Sequence, residues 1–263
     1  MLFGFKPVFK DPPYNNSMAL PLQNVLGLNW VDTDFPTWIE RFLTCLNTAG
    51  GGIVVTPNPE IVMRARSDQN LKRLLGTADF CLPDGVGIVW ASRLLGQPLT
   101  QRLAGSDTVE ALLSRFDGAV FLWGAKPGVA EAAAARLKVQ HPQFQGVGTA
   151  SGYYDPATEP DIIEAIQASG ARLVLVAMGT PKQEQVMSRL RQSDPDLWMI
   201  GVGGMLDVLS GQLRRAPTLW QHLGLEWLYR GLQQPARVGR WWTLAQFVMW
   251  VLKQKMTGQE QTV

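Results

Sequence analysis

From Gln23 to Gly204, short β-rich apolar runs alternate with stretches whose apolar positions recur at helical spacing. The runs Val25–Leu28, Ile53–Thr56, Asp79–Leu82, Ala119–Trp123, Phe144–Val147, Leu173–Ala177 and Trp198–Val202 read as strands. Between them, Thr37–Leu46, Val86–Leu95, Thr108–Arg115, Val129–Val139, Asp161–Ala168 and Lys182–Arg191 read as helices. Alternation of this kind predicts an α/β fold: a Rossmann-like, mostly parallel sheet flanked by helices on both faces. After Asp207 the strand pattern stops and the remainder reads as a helical C-terminal appendage. The expected organisation is an N-terminal extension over residues 1–20, an α/β body over 21–211 and the appendage over 212–263.

Composition sharpens this picture at two places. The apolar share of 46% is that of a globular chain, and Met1–Met18 lacks the continuous apolar core of a signal peptide, with Met18 an alternative start. Cys45 and Cys81 sit in apolar runs and suggest no disulfide framework, so a cytoplasmic location is expected. The net charge of +2 conceals an asymmetry: Arg214 to Lys255 holds seven Lys/Arg against Glu226 alone, a net of +6, leaving −4 on the rest. Five of the ten tryptophans, Trp220, Trp227, Trp241, Trp242 and Trp250, lie in that basic segment.

Candidate chemistry gathers where strands are expected to end, the rim at which open α/β sheets bind ligands. Asp84 follows a short apolar run and Pro83, with Gly85 and Gly87 opening the next helix; a base and a helix N-cap are both open to it. Thr56 and Asn58, in Thr56-Pro-Asn58-Pro-Glu60, either face the rim or cap the next helix. Asp107 with Glu110 fits a capping box, which leaves Arg102 to the loop near the rim or to the surface. Two glycine-bounded loops, Gly124-Ala-Lys126-Pro-Gly128 and Gly179-Thr180-Pro-Lys182-Gln183, each open a helix, the second matching a capping box from Thr180 to Gln183. Free N–H groups at such helix starts attract phosphate. In the loop after Gly201, Asp207 adds a carboxylate for ribose or base.

Metal chemistry is not expected. His141 and His222 belong to no ligand-spaced motif, and the triplets Asp32-Thr-Asp34 and Asp194-Pro-Asp196 read as cap and turn. Trp241–Leu252 is twelve residues long with only Thr243 and Gln246 polar. On a helical wheel these two share a narrow face with Lys253 and Gln254. That pattern suits a helix lying in a membrane interface, ahead of one docked on the body or on a neighbouring subunit.

Taken in order, these segments resemble the WecG/TagA/CpsF family of bacterial glycosyltransferases. The resemblance rests on Thr56-Pro-Asn58-Pro-Glu60, Pro83-Asp84-Gly85-Val-Gly87, Arg102-x-x-Gly105-Ser106-Asp107, Pro181-Lys-Gln183-Glu184, Gly201-Val-Gly-Gly204, Arg215-Ala-Pro217 and Gly224-Leu-Glu-Trp-Leu-Tyr-Arg230. It implies inverting, metal-independent transfer of a sugar, N-acetylmannosamine or a relative, from a UDP-sugar donor to a polyprenyl-diphosphate-linked acceptor at the inner membrane surface. By the same resemblance Asp84 looks like the general base, with Thr56, Asn58, Arg102 and Gln183 as its neighbours. Asp207 looks like a nucleotide contact, and Arg230, Arg237 and Arg240 look like arginines that the appendage folds over the site. No cofactor and no nucleic-acid partner are expected, and self-association is left open. The rival readings are a transferase with a soluble acceptor and a non-catalytic nucleotide-sugar-binding protein.

Overall fold

The structure, a computed structural model, describes residues 20–48, 50–217, 220, 226–233 and 239–257. It opens with an antiparallel hairpin, β1 (Leu22–Val25) and β2 (Leu28–Val31). The expected strand Val25–Leu28 is therefore split, with Val25 ending β1, Leu28 opening β2 and Leu26–Gly27 forming the turn between them. Leu26 and Gly27 both take positive φ, 58° and 80°, the conformation a two-residue hairpin loop demands. Hydrophobicity placed a strand there because Leu26 is buried even in the turn.

A six-stranded sheet follows in the order β4-β3-β8-β7-β5-β6, and its five pairings are all parallel. Its strands are β3 (Gly52–Val55), β4 (Phe80–Cys81), β5 (Ala119–Gly124), β6 (Gln145–Ala150), β7 (Leu173–Ala177) and β8 (Trp198–Gly201). Side chains along β3, β4, β5, β7 and β8 alternate between two cores. Val54, Leu122, Leu175, Trp198 and Ile200 face α1 (Phe35–Leu46), α5 (Gly105–Leu113), α6 (Val129–Gln140) and α9 (Met205–Leu209). Val55, Phe121, Val174, Val176 and Met199 face α2 (Pro59–Ser67), α3 (Gln69–Gly76), α4 (Val86–Leu94), α7 (Glu159–Ala168) and α8 (Lys182–Ser193). In the first core Trp38 stacks on Phe42 at 5.0 Å and Phe80 on Trp198 at 5.8 Å, with Phe42 edge-on to Trp198 at 5.1 Å. Cys45 and Cys81 are buried free thiols, and burial pushes both above the usual thiol range.

Two further helices, α10 (Glu226–Gln233) and α11 (Gly239–Thr257), close the described chain. The outcome for α11 differs from the expectation in part. One face docks on α2 and α4, burying Phe247, Trp250, Val251 and Gln254, with the Arg66 guanidinium 4.3 Å above the Trp250 ring. Gln254 therefore belongs to the docked face and not to an outward polar stripe. Trp242, Ala245, Met249, Leu252 and Met256, spaced three and four apart, stay exposed on the other side. No helix among the described residues is long and apolar enough to cross a membrane.

At the edge of the sheet opposite the rim, the Arg172 guanidinium ties the end of α1 to the strands. It donates to the carbonyls of Leu46 at 2.7 Å, Gly50 at 2.7 Å, Asp196 at 2.5 Å and Cys45 at 3.2 Å, and also to Thr48. Five carbonyls need a planar fork with several donors, which a lysine does not offer. Arg172→Ala is expected to cost about 3 kcal/mol, the scale of losing more than one bond to a charged donor. Arg172→Lys should recover less than half of that, read from urea midpoints.

Candidate active site

The chain winds outward from β5 to β6 in one direction and from β7 to β8 in the other, so the crevice between β5 and β7 is a switch point. All the candidate loops lie along this rim, but they do not form one cluster. Asp84 follows β4 and Gly124 ends β5, four strand spacings apart, roughly 19 Å at ~4.8 Å each.

At the β3–β4 end, backbone bonds continue past the strands. Leu82 N donates to Val55 O at 2.8 Å, Asp84 N to Pro57 O at 3.3 Å, and Leu103 N to Pro83 O at 3.0 Å. Three loops carrying Thr56 and Asn58, Asp84, and Arg102 are thereby laced into one edge. The N-cap of α4 is Gly85, at φ 102°, and it makes no side-chain cap bond. Asp84 stands one residue outside that cap, half-buried. A Cβ at Gly87 would come within 2.7 Å of the Pro59 ring, so α4 can start here only by packing a glycine against α2.

Asn58 does cap: its Oδ1 accepts from Ile61 N at 3.1 Å, with Pro59 in the first helical position of α2. Thr56 has a different role, its hydroxyl donating to Gly201 O at 3.0 Å. The start of α5 abuts it, since a Cβ at Gly105 would lie 2.9 Å from Thr56 Cγ2.

Two expected capping boxes are corrected. Helix α5 begins at Gly105 with Ala104 as N-cap, so Asp107 falls in the first turn and makes no cap. Its carboxylate instead meets Arg102 Nη2 at 3.3 Å and Arg215 Nη2, while Arg215 also reaches Ser106 at 3.1 Å and Glu110. Helix α8 starts at Lys182 after Pro181, and Thr180 donates its hydroxyl to Glu184 Oε1 at 2.9 Å. For Asp107 a distant arginine outcompetes the local amide, and for Thr180 the inward-turned carboxylate four residues on does so. The two Asp-x-Asp triplets behave as expected. Asp34 caps α1 by accepting from Thr37 N at 2.8 Å, which holds its carboxyl below the usual range, and Asp194 accepts from Asp196 N within a turn. Asp32 accepts from Thr100 N at 2.7 Å.

At the β5–β7 end, Gly124 pairs with Ala177, and a Cβ there would stand 2.3 Å from Ala177 O. Only glycine allows the two loops to approach this closely. Gly128 and Gly179 adopt φ of 84° and 73° beside open space, and Lys126 is exposed. Lys182 is drawn away toward the next loop, donating to Gly152 O at 2.8 Å with its ammonium 4.2 Å from the Tyr154 ring centre. Asp207 lies half-buried in the first turn of α9.

Between the two ends sits Gln183, which is buried. Its Oε1 accepts from Gly203 N at 3.1 Å and its Nε2 donates to Glu184 Oε1 at 2.9 Å. Burial pushes the Glu184 carboxyl above its usual value, against the bonds from Gln183 and Thr180 that favour its ionised form. Sequence reasoning missed Glu184, along with Arg64, whose Nη1 donates to Thr180 O at 2.8 Å, and the part played by Arg215. The buried Glu184 had a signal in its position directly after Gln183, but periodicity alone reads it as surface. Arg237 lies outside the described residues, as do the side chains of Arg230 and Arg240. A groove of about 740 Å³ runs between α5, α6 and the segment after α9. It shares Glu110 and Arg215 with the ion-pair cluster but no residue of the β3 and β4 loops.

Because Asn58 caps α2, its stability role separates from any chemical one. Asn58→Ala should cost about 1 kcal/mol and Asn58→Asp almost nothing, since aspartate caps equally well. Equal losses of urea midpoint in both variants would contradict the capping role.

Residues 23–261 match the glycosyl transferase WecG/TagA/CpsF family, and the chain belongs to that family. Membership implies a glycosyltransferase reaction.

Proposed function

We propose that this family member transfers a sugar of the N-acetylmannosamine type from a UDP-sugar to a polyprenyl-diphosphate-linked sugar, with inversion and without a catalytic metal. The observation that carries the reading is the placement of Asp84. Its loop is laced to the Thr56–Asn58 and Arg102 loops by the backbone bonds that extend β4, and Gly85 takes the N-cap position of α4. Single displacement with inversion needs one base facing the acceptor hydroxyl. The hydroxyl oxygen bonds to the anomeric carbon, its proton passes to the Asp84 carboxylate, and the bond from the anomeric carbon to the β-phosphate oxygen breaks, so that UDP leaves with that oxygen and the bonding pair.

In this reading the two loop groups, ~19 Å apart at the ends of β4 and β5, serve opposite ends of the donor. The glycine loops at Gly124–Gly128 and Gly179 would take the nucleotide in the switch-point crevice, with Lys126 and the start of α6 near phosphate. Arg102 and the start of α5 would meet charge developing on the leaving diphosphate. Arg102 shares Asp107 with Arg215, so it is held in place before the donor arrives. Lys182 and Asn58 have structural partners that support the same loops, and Asp207 is offered to ribose or base. Arg230, Arg237 and Arg240 complete the site in this reading, on the strength of the motif in the sequence. The two Asp-x-Asp triplets serve as a cap and a turn, which supports charge neutralisation by arginine and helix starts instead of a cation.

The reading places the enzyme on the inner face of the cytoplasmic membrane. Its support is the outward stripe on α11, where Trp242 is 69% exposed, Met249 65% and Met256 80%, flanked by Lys253 and Lys255.

Two outcomes test this. Asp84→Asn should keep UDP binding, measured by calorimetry, and lose about 10²–10⁴-fold in transfer to a short-chain polyprenyl-diphosphate sugar. Full transfer by that variant refutes the base. Replacing Trp242 and Met249 together by serine should weaken sedimentation with anionic vesicles about tenfold or more, each buried apolar side chain being worth ~1.5–3 kcal/mol. Unchanged sedimentation would show that α11 does not face the lipid.

A further inference from the structure

The start of α8 buries two polar side chains, with Gln183 4% and Glu184 3% exposed. Glu184 is a buried carboxylate on a helix whose other buried residues, Gln183 apart, are Val186, Met187 and Leu190. Its Oε1 accepts twice, from Gln183 Nε2 and from Thr180 Oγ1, both at 2.9 Å. Its Oε2 is buried with no hydrogen-bond partner. Burying an acceptor in that state costs stability, so its presence calls for a use.

That use follows from the chemistry of the partners. An ionised carboxylate only accepts, so the group of Gln183 facing it must be the amide NH₂. Gly203 N–H only donates, so the group facing it must be the amide oxygen, and the distance is 3.1 Å. Glu184 and Gly203 thereby hold the Gln183 amide in one sense from its two ends, and a flipped amide would set oxygen against oxygen and N–H against N–H. The amide lies hard against the strand end, since a Cβ at Gly201 would stand 2.9 Å from Gln183 Nε2. From the other side, Thr56 Oγ1 holds Gly201 O at 3.0 Å. Arg64 fixes the far end of the chain of contacts by donating to Thr180 O at 2.8 Å. The turn Gly201–Gly204, with Gly203 at φ 54°, is thus gripped between Thr56 and Gln183 and leads directly into Asp207.

We infer that Glu184 is a positioning residue which, by fixing the amide of Gln183, sets the glycine turn after β8 against Thr56. Gln183 acts in the same way, from below the rim. As a contribution to transfer this rests on the proposed UDP-sugar reading; as a statement about the turn it does not.

The test uses the full chain with Gln183→Ala, Glu184→Ala, Glu184→Gln and the double alanine variant. In transfer assays, Gln183→Ala and Glu184→Ala should each lower kcat/KM about tenfold or more, the scale of one buried hydrogen bond. The double variant should be no worse than Gln183→Ala alone, because both act through one element. Glu184→Gln keeps an acceptor oxygen and should stay within about threefold of the unsubstituted chain. Losses that multiply, or equal damage from Glu184→Gln and Glu184→Ala, overturn the inference. The second readout is hydrogen exchange at the Gly203 amide in the ligand-free chain. It should be slow in the unsubstituted protein and in Glu184→Gln, and about tenfold faster or more in the two alanine variants. Equal rates overturn the inference whatever the transfer assay gives. Absence of transfer from every UDP-sugar would sink the functional reading alone, with the exchange rates still deciding the role of Glu184. Should Glu184→Ala fail to fold, Gln183→Ala and Glu184→Gln decide by the same rates.

Discussion

The Asp84 end of the rim depends on the parallel hydrogen bonding of β3 and β4 continuing after both strands have ended. Strand β4 spans only Phe80–Cys81, yet Leu82 and Asp84 go on donating to Val55 and Pro57. A carboxylate on a free loop would sample many positions, whereas one tied by its own backbone amide is carried by the sheet. Pro83 then passes its carbonyl to Leu103, so the loop bearing Arg102 is set by the same ladder. Prolines at 57 and 83 suit this arrangement, because each presents a carbonyl that accepts a bond without an N–H that would need a partner in the crowded edge.

The second constraint is charge. Arg102, Asp107, Arg215 and Glu110 form a connected cluster at the start of α5, and Arg215 belongs to the segment leading into the C-terminal helices. The basic end of the chain is therefore tied to the rim by ion pairs as well as by the docking of α11 on α2 and α4. Helix α2 starts at the Asn58 cap and carries Arg64 and Arg66, one bonded to Thr180 and the other stacked on Trp250. One short helix thus touches three parts of the molecule: the β3 loop, the β7 loop and α11.

The parallel sheet was legible because its strands are short apolar runs separated by helical periods, and buried parallel strands require both. The hairpin at Leu26–Gly27 was not, since a buried leucine in a turn carries the same hydrophobic signal as one in a strand. The capping boxes at Asp107 and Thr180 were misread for a related reason. Spacing registers the local amide as a partner but is blind to Arg215, more than a hundred residues away, and to a glutamate that turns inward. The helical wheel sets Gln254 on the polar face of α11 and leaves Trp250 to an apolar face open to a membrane or to the body, and only the presence of α2 and α4 shows that both residues are covered by the body.

By itself the sequence determined the α/β class, the positions of the rim loops and the residues of the family motifs, because these depend on local periodicity and on residue type. The tertiary structure alone decided which polar groups serve the rim and which hold it together. Asn58 caps, Thr56 and Gln183 grip the turn after β8, Lys182 is turned to Tyr154, and Asp84 is placed beyond the start of α4. The physical reason is that a hydrogen bond is chosen among competing partners by distance and burial, and those exist only once the chain has folded.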